Sequence, residues 1–159
     1  LINKNISIKI STNSLASTDN LMAYSGYHNI RDQLLEIGIA LYEYKPAPQN
    51  QAELHHRYLQ LKDSPPIFAL HAKSMVIDRK VALIGTFNFD PRSINLNTEV
   101  GMVIPDTTTA NELYHLITDD MKAENSWQIS TTNNPDSEVS LWKRIKLTLL
   151  KWLPLEPVL

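Results

Sequence analysis

Two apolar runs separated by three charged residues constrain this chain more than any other feature. Ile67 to Ile77 and Val81 to Ile84 are rich in aliphatic and β-branched side chains, and Asp78-Arg79-Lys80 lies between them. Runs of that length around a short polar break predict a β-hairpin. Alternate residues on an extended strand share a face, so His71 and Lys73, two positions apart in the first run, point the same way. Gly85-Thr86-Phe87-Asn88 follows at short range. Metal-independent phosphoryl chemistry needs such a set. Attack at phosphorus requires a nucleophile and a proton donor for the leaving oxygen. The nonbridging oxygens require fixed positive charge and hydrogen-bond donors. His71, Lys73, Thr86 and Asn88 supply one half of that list.

The rest of the chain alternates strand and helix signals. Ile6, Ile8 and Ile10 alternate with Ser7 and Lys9, which predicts a strand running into the Thr12-Asn13-Ser14 loop. Asp19 or Asn20 can cap a helix that carries Leu21, Tyr24, Ile30, Leu34 and Ile37 and stops at Gly38. Ile39 to Tyr44 is a second strand, ended by Pro46 and Pro48. Residues 46–66 form a polar, proline-bounded excursion with room for a short helix from Gln51 to Leu61. Asn97 to Ile104 is another strand, closed by Pro105. Asp106 caps a helix to about Lys122, with Leu113, Leu116, Ile117 and Met121 on one face. Trp127 to Ile129 is a last short strand, Ser130 to Ser140 a polar linker, and Leu141 to Leu153 a final helix stopped by Pro154. The expected organisation is an α/β domain over 1–129, a linker over 130–140, and a basic amphipathic helix and tail over 141–159.

Composition narrows the function classes. A chain of 159 residues suits one domain with a real core. Its formal net charge of −2 supplies no overall basic field for nucleic acid. Cysteine is absent, which excludes disulfides and thiolate metal sites. No run approaches the roughly eighteen apolar residues of a bilayer-spanning helix. The chain opens on Leu1-Ile2-Asn3-Lys4 without a signal-like segment, and the expectation is a piece of something longer. His28, His55, His56 and His115 lack a ligand pattern, and the His55-His56 pair reads as solvated loop. No metal and no cofactor are called for.

The spacing H-x-K-x4-D-x6-G-[ST]-x-N, filled by His71, Lys73, Asp78, Gly85, Thr86 and Asn88, resembles the signature of the phospholipase D superfamily. Thr12-Asn13-Ser14-Leu15-Ala16-Ser17-Thr18-Asp19, Leu41-Tyr42-Glu43, Phe89-Asp90-Pro91-Arg92-Ser93 and Leu96-Asn97-Thr98-Glu99 look like its bacterial cardiolipin synthase branch. The resemblance implies a mixed β-sheet with helices on both faces. It also implies one active site built from two H-x-K-x4-D copies, contributed by two halves of a chain or by two identical subunits. This sequence holds one copy, so the expected partner is a missing N-terminal half or a second copy. The isolated piece is expected to be inert unless it self-associates.

The implied mechanism has two steps through a phosphohistidine. One histidine attacks phosphorus while its partner protonates the departing alcohol; an incoming alcohol or water then reverses the roles. By analogy with two-halved relatives His71 is the acid and then the base. Lys73 is the fixed cation, and Glu99, at the end of N-x-E, orients the second ring nitrogen of His71. Asn88 donates to a nonbridging oxygen, and Thr86 keeps a hydroxyl where relatives carry serine. Asp78, within the catalytic motif, is expected to act structurally in the turn. Gly85 lets the backbone pass close to the site. Asn13 and Ser14 match a strand-end T-N-S that faces the pocket, making them candidates for phosphate contact. Arg92 pairs with an acidic neighbour or approaches the head group. Tyr24 stands where relatives tend to carry histidine, a departure that bears on substrate preference.

Trp142, Ile145, Leu149, Trp152 and Leu153 share one face of the last helix, with Lys143, Arg144 and Lys151 on the other. Tryptophans beside cations suit a helix lying in a lipid interface. The leading reading is the C-terminal half of a cardiolipin synthase-type phosphatidyltransferase, peripherally associated with a bacterial cell membrane and acting on phospholipid. The rivals are a phospholipase D-type lipid hydrolase, a dimeric superfamily nuclease, and an inert half that serves only as a lipid- or partner-binding module.

Overall fold

The computed structural model describes residues 6–52, 67–88 and 90–152, apart from the side chains of Pro91, Arg92 and Trp152. The expectations for Gln51 to Leu61, the His55-His56 pair, the Arg92 side chain and the tail after Trp152 lie outside the described residues.

Strand β1, Lys9–Asn13, pairs in parallel with β2, Ala40–Tyr44, and β2 pairs antiparallel with β6, Ser126–Gln128. Helix α1, Leu21–Glu36, makes the parallel crossover. Asn20 caps it by accepting from the Met22 and Ala23 amides at 3.1 Å each, and Gly38 ends it at φ 85°. Leu41, Ile39 and Ile129 form a core on which Ile8, Ile10, Tyr27, Leu34, Leu35 and Trp127 pack. Each fully buried aliphatic side chain there contributes about 1.5–3 kcal/mol.

The second sheet is antiparallel and consists of β3, Ser74–Ile77, β4, Val81–Gly85, and β5, Gly101–Ile104. Its hairpin turn holds Asp78 and Arg79 at φ 50° and 56°, and the Lys80 amide donates to the Ile77 carbonyl at 2.9 Å. Positive φ at both central residues of this turn gives a twist that matches the flanking strands. Arg79 is a poor residue for that conformation. Its guanidinium compensates by donating to Asn111 at 2.7 Å and lying 4.8 Å from the Tyr114 ring centroid, both on α3, Thr107–Asp120. A short helix α2, Pro91–Asn95, joins β4 to β5. Asp106 caps α3 as expected, accepting from the Thr109 amide at 2.7 Å.

The fold is thus the expected α/β mixed-sheet domain, with the strands among the described residues divided between two three-stranded sheets. The strands are shorter than the apolar runs. β3 starts at Ser74 rather than Ile67, and β5 at Gly101 rather than Asn97. β4 between them ends at Gly85, so neither neighbour has a partner strand to follow further.

The helix faces depart from apolar periodicity. On α1 Ile30 is exposed while Ser25 and Arg31 are buried, and on α3 Leu116 is exposed while Ala110 is buried. The cause on α1 is a polar cluster. Arg31 donates to Glu43 at 3.1 Å and to Asp136 at 3.0 Å, the Tyr24 hydroxyl donates to Asp136 at 3.0 Å, and the Tyr27 hydroxyl donates to Glu43 at 3.0 Å. Burial pushes the Glu43 carboxyl up, with Arg31 opposing it. Burial alone would also raise Asp136, but hydrogen bonds from His28 and the charge and hydrogen bond of Arg31 outweigh it and hold that carboxyl at about 2.

The segment expected to be a linker therefore delivers Asp136 into the interior from a 3-10 turn, Pro135–Glu138. Helix α4, Leu141–Trp152, then docks on α1. Leu147 joins Leu15 and Tyr24 in a second core cluster. Lys143, expected on the solvated side, reaches inward to the Ala16 and Thr18 carbonyls at 3.5 and 3.2 Å.

Candidate active site

The end of the second sheet brings His71, Lys73, Thr86 and Glu99 together. The Gly85 amide donates to the Lys73 carbonyl at 3.0 Å, and the Thr86 amide donates to the Val100 carbonyl at 2.9 Å. Three chain segments therefore lie side by side just beyond β3, β4 and β5. Gly85 makes this possible. A Cβ at that position would sit 2.6 Å from the Val100 carbonyl oxygen and 3.0 Å from the Gly101 Cα, both backbone atoms that cannot swing away.

The Lys73 ammonium lies 2.7 Å from Nε2 of His71. An ammonium can only donate, so Nε2 of His71 is the acceptor in this contact. His71 is exposed and Lys73 half-buried. By alternation Lys73 shares its sheet face with Met75 and Ile77, which are 41% and 47% exposed. The register adds Leu83 and Val103 beside Met75. Helix α3 covers the opposite face, over the fully buried Ala82. The imidazole and ammonium thus sit at the edge of an exposed apolar sheet face.

The Thr86 hydroxyl donates to a Glu99 carboxylate oxygen and accepts from the Val100 amide at 3.0 Å. Asn97 donates to the other Glu99 oxygen at 3.2 Å. These contacts place the Glu99 carboxyl below the usual range, the Thr86 hydroxyl being the main cause and Ser93, Asn97 and the Lys73 charge adding to it. Among the described residues no hydrogen bond joins Glu99 to His71; the carboxylate is held by Thr86 and Asn97, and the imidazole by Lys73. Thr86 accordingly has both hydroxyl functions engaged in orienting Glu99 and β5. Asn97 and Ser93 were not singled out in the sequence, although both lie inside the quoted D-P-R-S and N-T-E strings. Asn88 is exposed beyond β4.

The remaining candidates lie elsewhere. Asp78 sits in the hairpin turn at the far end of β3, five residues and about 16 Å of extended chain from Lys73, where its part is conformational. Ser14 is 1% exposed, and its hydroxyl pairs with Ser17 at 3.2 Å. The Asn13 amide donates to the Leu70 carbonyl at 2.9 Å and accepts from the Leu70 amide at 2.6 Å. Neither Asn13 nor Ser14 holds a donor out toward the His71–Lys73 pair. Tyr24, considered for substrate preference, is instead buried against Asp136.

Comparison with known proteins identifies the family. Residues 1–123 match the family model described as cardiolipin synthase, PLD-like domain. The chain belongs to the phospholipase D-like cardiolipin synthase family. Within this family it is 34% identical to Cardiolipin synthase C of Escherichia coli (strain K12) over 173 aligned positions, covering 98% of the chain and 36% of that protein. An uncharacterized protein of Helicobacter pylori (strain ATCC 700392 / 26695) is 32% identical over 80% of the chain and 24% of its own length. Minor cardiolipin synthase ClsB of Bacillus subtilis (strain 168) is 46% identical over 33% of the chain and 13% of that protein. The chain therefore spans about a third of the length of Cardiolipin synthase C. His71 and Lys73 lie inside the matched residues, with their side-chain nitrogens 2.7 Å apart.

Proposed function

We propose that this chain supplies one half of the active site of a phosphatidyltransferase of cardiolipin synthase type, working through a phosphohistidine. The observation that carries the reading is the exposed His71–Lys73 pair, with nitrogen atoms 2.7 Å apart, at the rim of an uncovered apolar face. Two groups that close can touch one phosphate. When a nonbridging oxygen draws the Lys73 ammonium, Nε2 of His71 is released to face phosphorus with its lone pair, as nucleophile, or the leaving oxygen with a proton, as acid. Asn88 adds a neutral donor, and Glu99, oriented by Thr86 and Asn97, keeps a negative charge within reach of Lys73.

A second H-x-K half, from the same chain or another copy, completes the site. The nucleophilic histidine forms a P–N bond as the P–O bond to the leaving alcohol breaks. The other histidine protonates that alcohol. It then takes the proton of an incoming lipid primary alcohol as the new P–O bond forms and the P–N bond breaks. Met75, Ile77, Leu83 and Val103 support a covered arrangement, since a face this apolar is stabilised by a partner and the cover excludes water from the intermediate. Water as acceptor would instead give phospholipase D-type hydrolysis.

The lipid surface fits α4. Leu141, Trp142, Ile145 and Leu149 face outward at 67%, 74%, 40% and 64% exposure, and the exposed Arg144 and Lys146 flank them. A helix of 12 residues is too short to span a bilayer, so it would lie in the interface of an anionic bacterial membrane.

The test uses the complete protein and vesicles of an anionic phospholipid whose head group carries a primary alcohol. His71→Ala should abolish transfer while circular dichroism stays unchanged, and substantial residual transfer would refute this site. Release of phosphatidic acid in place of the lipid-lipid product would assign hydrolysis.

A further inference from the structure

We infer that Asn13 is the positioning residue that holds the His71 segment, splicing the first sheet onto the second at the residue next to the imidazole. This rests on the proposed role of His71. Residues 67–73 have no regular secondary structure of their own. Their described backbone anchors are few. The Phe68 amide donates to the Pro46 carbonyl at 3.3 Å, Leu70 pairs with Asn13, and the Lys73 carbonyl accepts from Gly85 at 3.0 Å. His71 hangs between the last two.

The Asn13 contact is a two-point amide pairing. Its Nδ2 donates to the Leu70 carbonyl at 2.9 Å and its Oδ1 accepts from the Leu70 amide at 2.6 Å, the pattern one strand residue presents to another. Among the described residues β1 is an edge strand of the first sheet, and Asn13 is its last residue. The carboxamide therefore does with a side chain what the backbone no longer does.

The carboxamide is itself held. Ser17 donates to Oδ1 at 3.4 Å, and Ser14 and Ser17 lock together in a turn where both are 1% exposed. Half-buried amide bonds exchange poorly with water, so the Leu70 peptide is fixed on the outer flank of His71. The Lys73–Gly85 bond fixes the inner flank. Removing the outer anchor leaves Lys73 in place and lets the imidazole drift from the ammonium. A displacement near 1 Å at a reacting group lowers rate by about a hundredfold.

The experiment compares wild type, Asn13→Ala, Asn13→Asp and His71→Ala in the complete protein. Asn13→Ala should lower kcat by about a hundredfold with KM within about twofold, and the Leu70 amide should lose hydrogen-exchange protection. Asn13→Asp has the same size, and its carboxylate still accepts from the Leu70 amide but opposes the Leu70 carbonyl. Once protonated it donates again. The kcat ratio of Asn13→Asp to wild type should therefore climb as pH falls toward the carboxyl range, a dependence that neutral asparagine does not show. A flat ratio, with kcat of Asn13→Ala near wild type, overturns the inference while an inactive His71→Ala leaves the site assignment standing. A unit loss of KM and kcat together with global unfolding of both Asn13 variants also overturns it, in favour of a purely structural asparagine. An active His71→Ala overturns the site and this inference with it.

Discussion

Replacing Asp136 by asparagine keeps the side chain's size and takes one negative charge out of a cluster that ties α1 to a segment 112 positions away. The carboxylate receives hydrogen bonds from Tyr24, His28 and Arg31, at 3.0, 3.1 and 3.0 Å. Its carboxyl sits at about 2 against an ordinary 3.8. That difference corresponds to about 2 kcal/mol of stability at neutral pH. Arg31 keeps Glu43 at 3.1 Å, so the full penalty of about 3–5 kcal/mol for orphaning a buried charge does not apply. The expected loss is about 2 kcal/mol, below that range.

The pH dependence follows from the direction of the shift. A carboxyl held below its unfolded value contributes stability that is present above about 3.8 and is lost as pH falls through about 2. Urea denaturation of wild type and Asp136→Asn at neutral pH and at several points below pH 5 measures both effects. The gap should be widest at neutral pH and narrow steadily in acid. Amides of α4 should exchange faster in the variant, because Asp136 seats the chain just before that helix. Equal urea midpoints at neutral pH, or a gap unchanged by acid, would refute the reasoning.

Two further substitutions examine the site's frame and the lipid surface. Gly85→Ala forces a Cβ to 2.6 Å from a backbone carbonyl oxygen, so β4 and β5 must part, at about 1–3 kcal/mol of stability and with loss of turnover; thermal unfolding and transfer assays read both. Leu149→Glu adds a charge to the outward face of α4, where Leu149 is 64% exposed, and should leave melting temperature unchanged while lowering co-sedimentation with anionic vesicles. Undiminished co-sedimentation would remove α4 from the membrane contact.

Local signals proved the most legible. Asn20 and Asp106 cap their helices, Gly38 ends α1, and the charged triplet Asp78-Arg79-Lys80 forms the turn of the hairpin, because caps and turns are satisfied by residues a few positions away. His71 and Lys73, expected on one side of a strand, meet at 2.7 Å across two residues although the chain there precedes β3 and is not a strand. Gly85 was likewise legible as a place of close approach.

Long-range polar pairing was hidden. Ile30, an apolar residue of α1, is exposed, yet Arg31 beside it is buried, since its counter-charges come from β2 and from Asp136. Nothing adjacent to Asn13 marks it as a partner of Leu70, 57 positions on, and nothing beside Thr86 directs its hydroxyl to Glu99. Periodicity reports how hydrophobic a position is, whereas an ion pair or amide pairing depends on which distant group the chain brings opposite. Strand, cap, turn and the His71–Lys73 contact were written into neighbouring residues. The burial of charge, the division into two sheets and the clamp beside His71 arose only when segments far apart in the chain met.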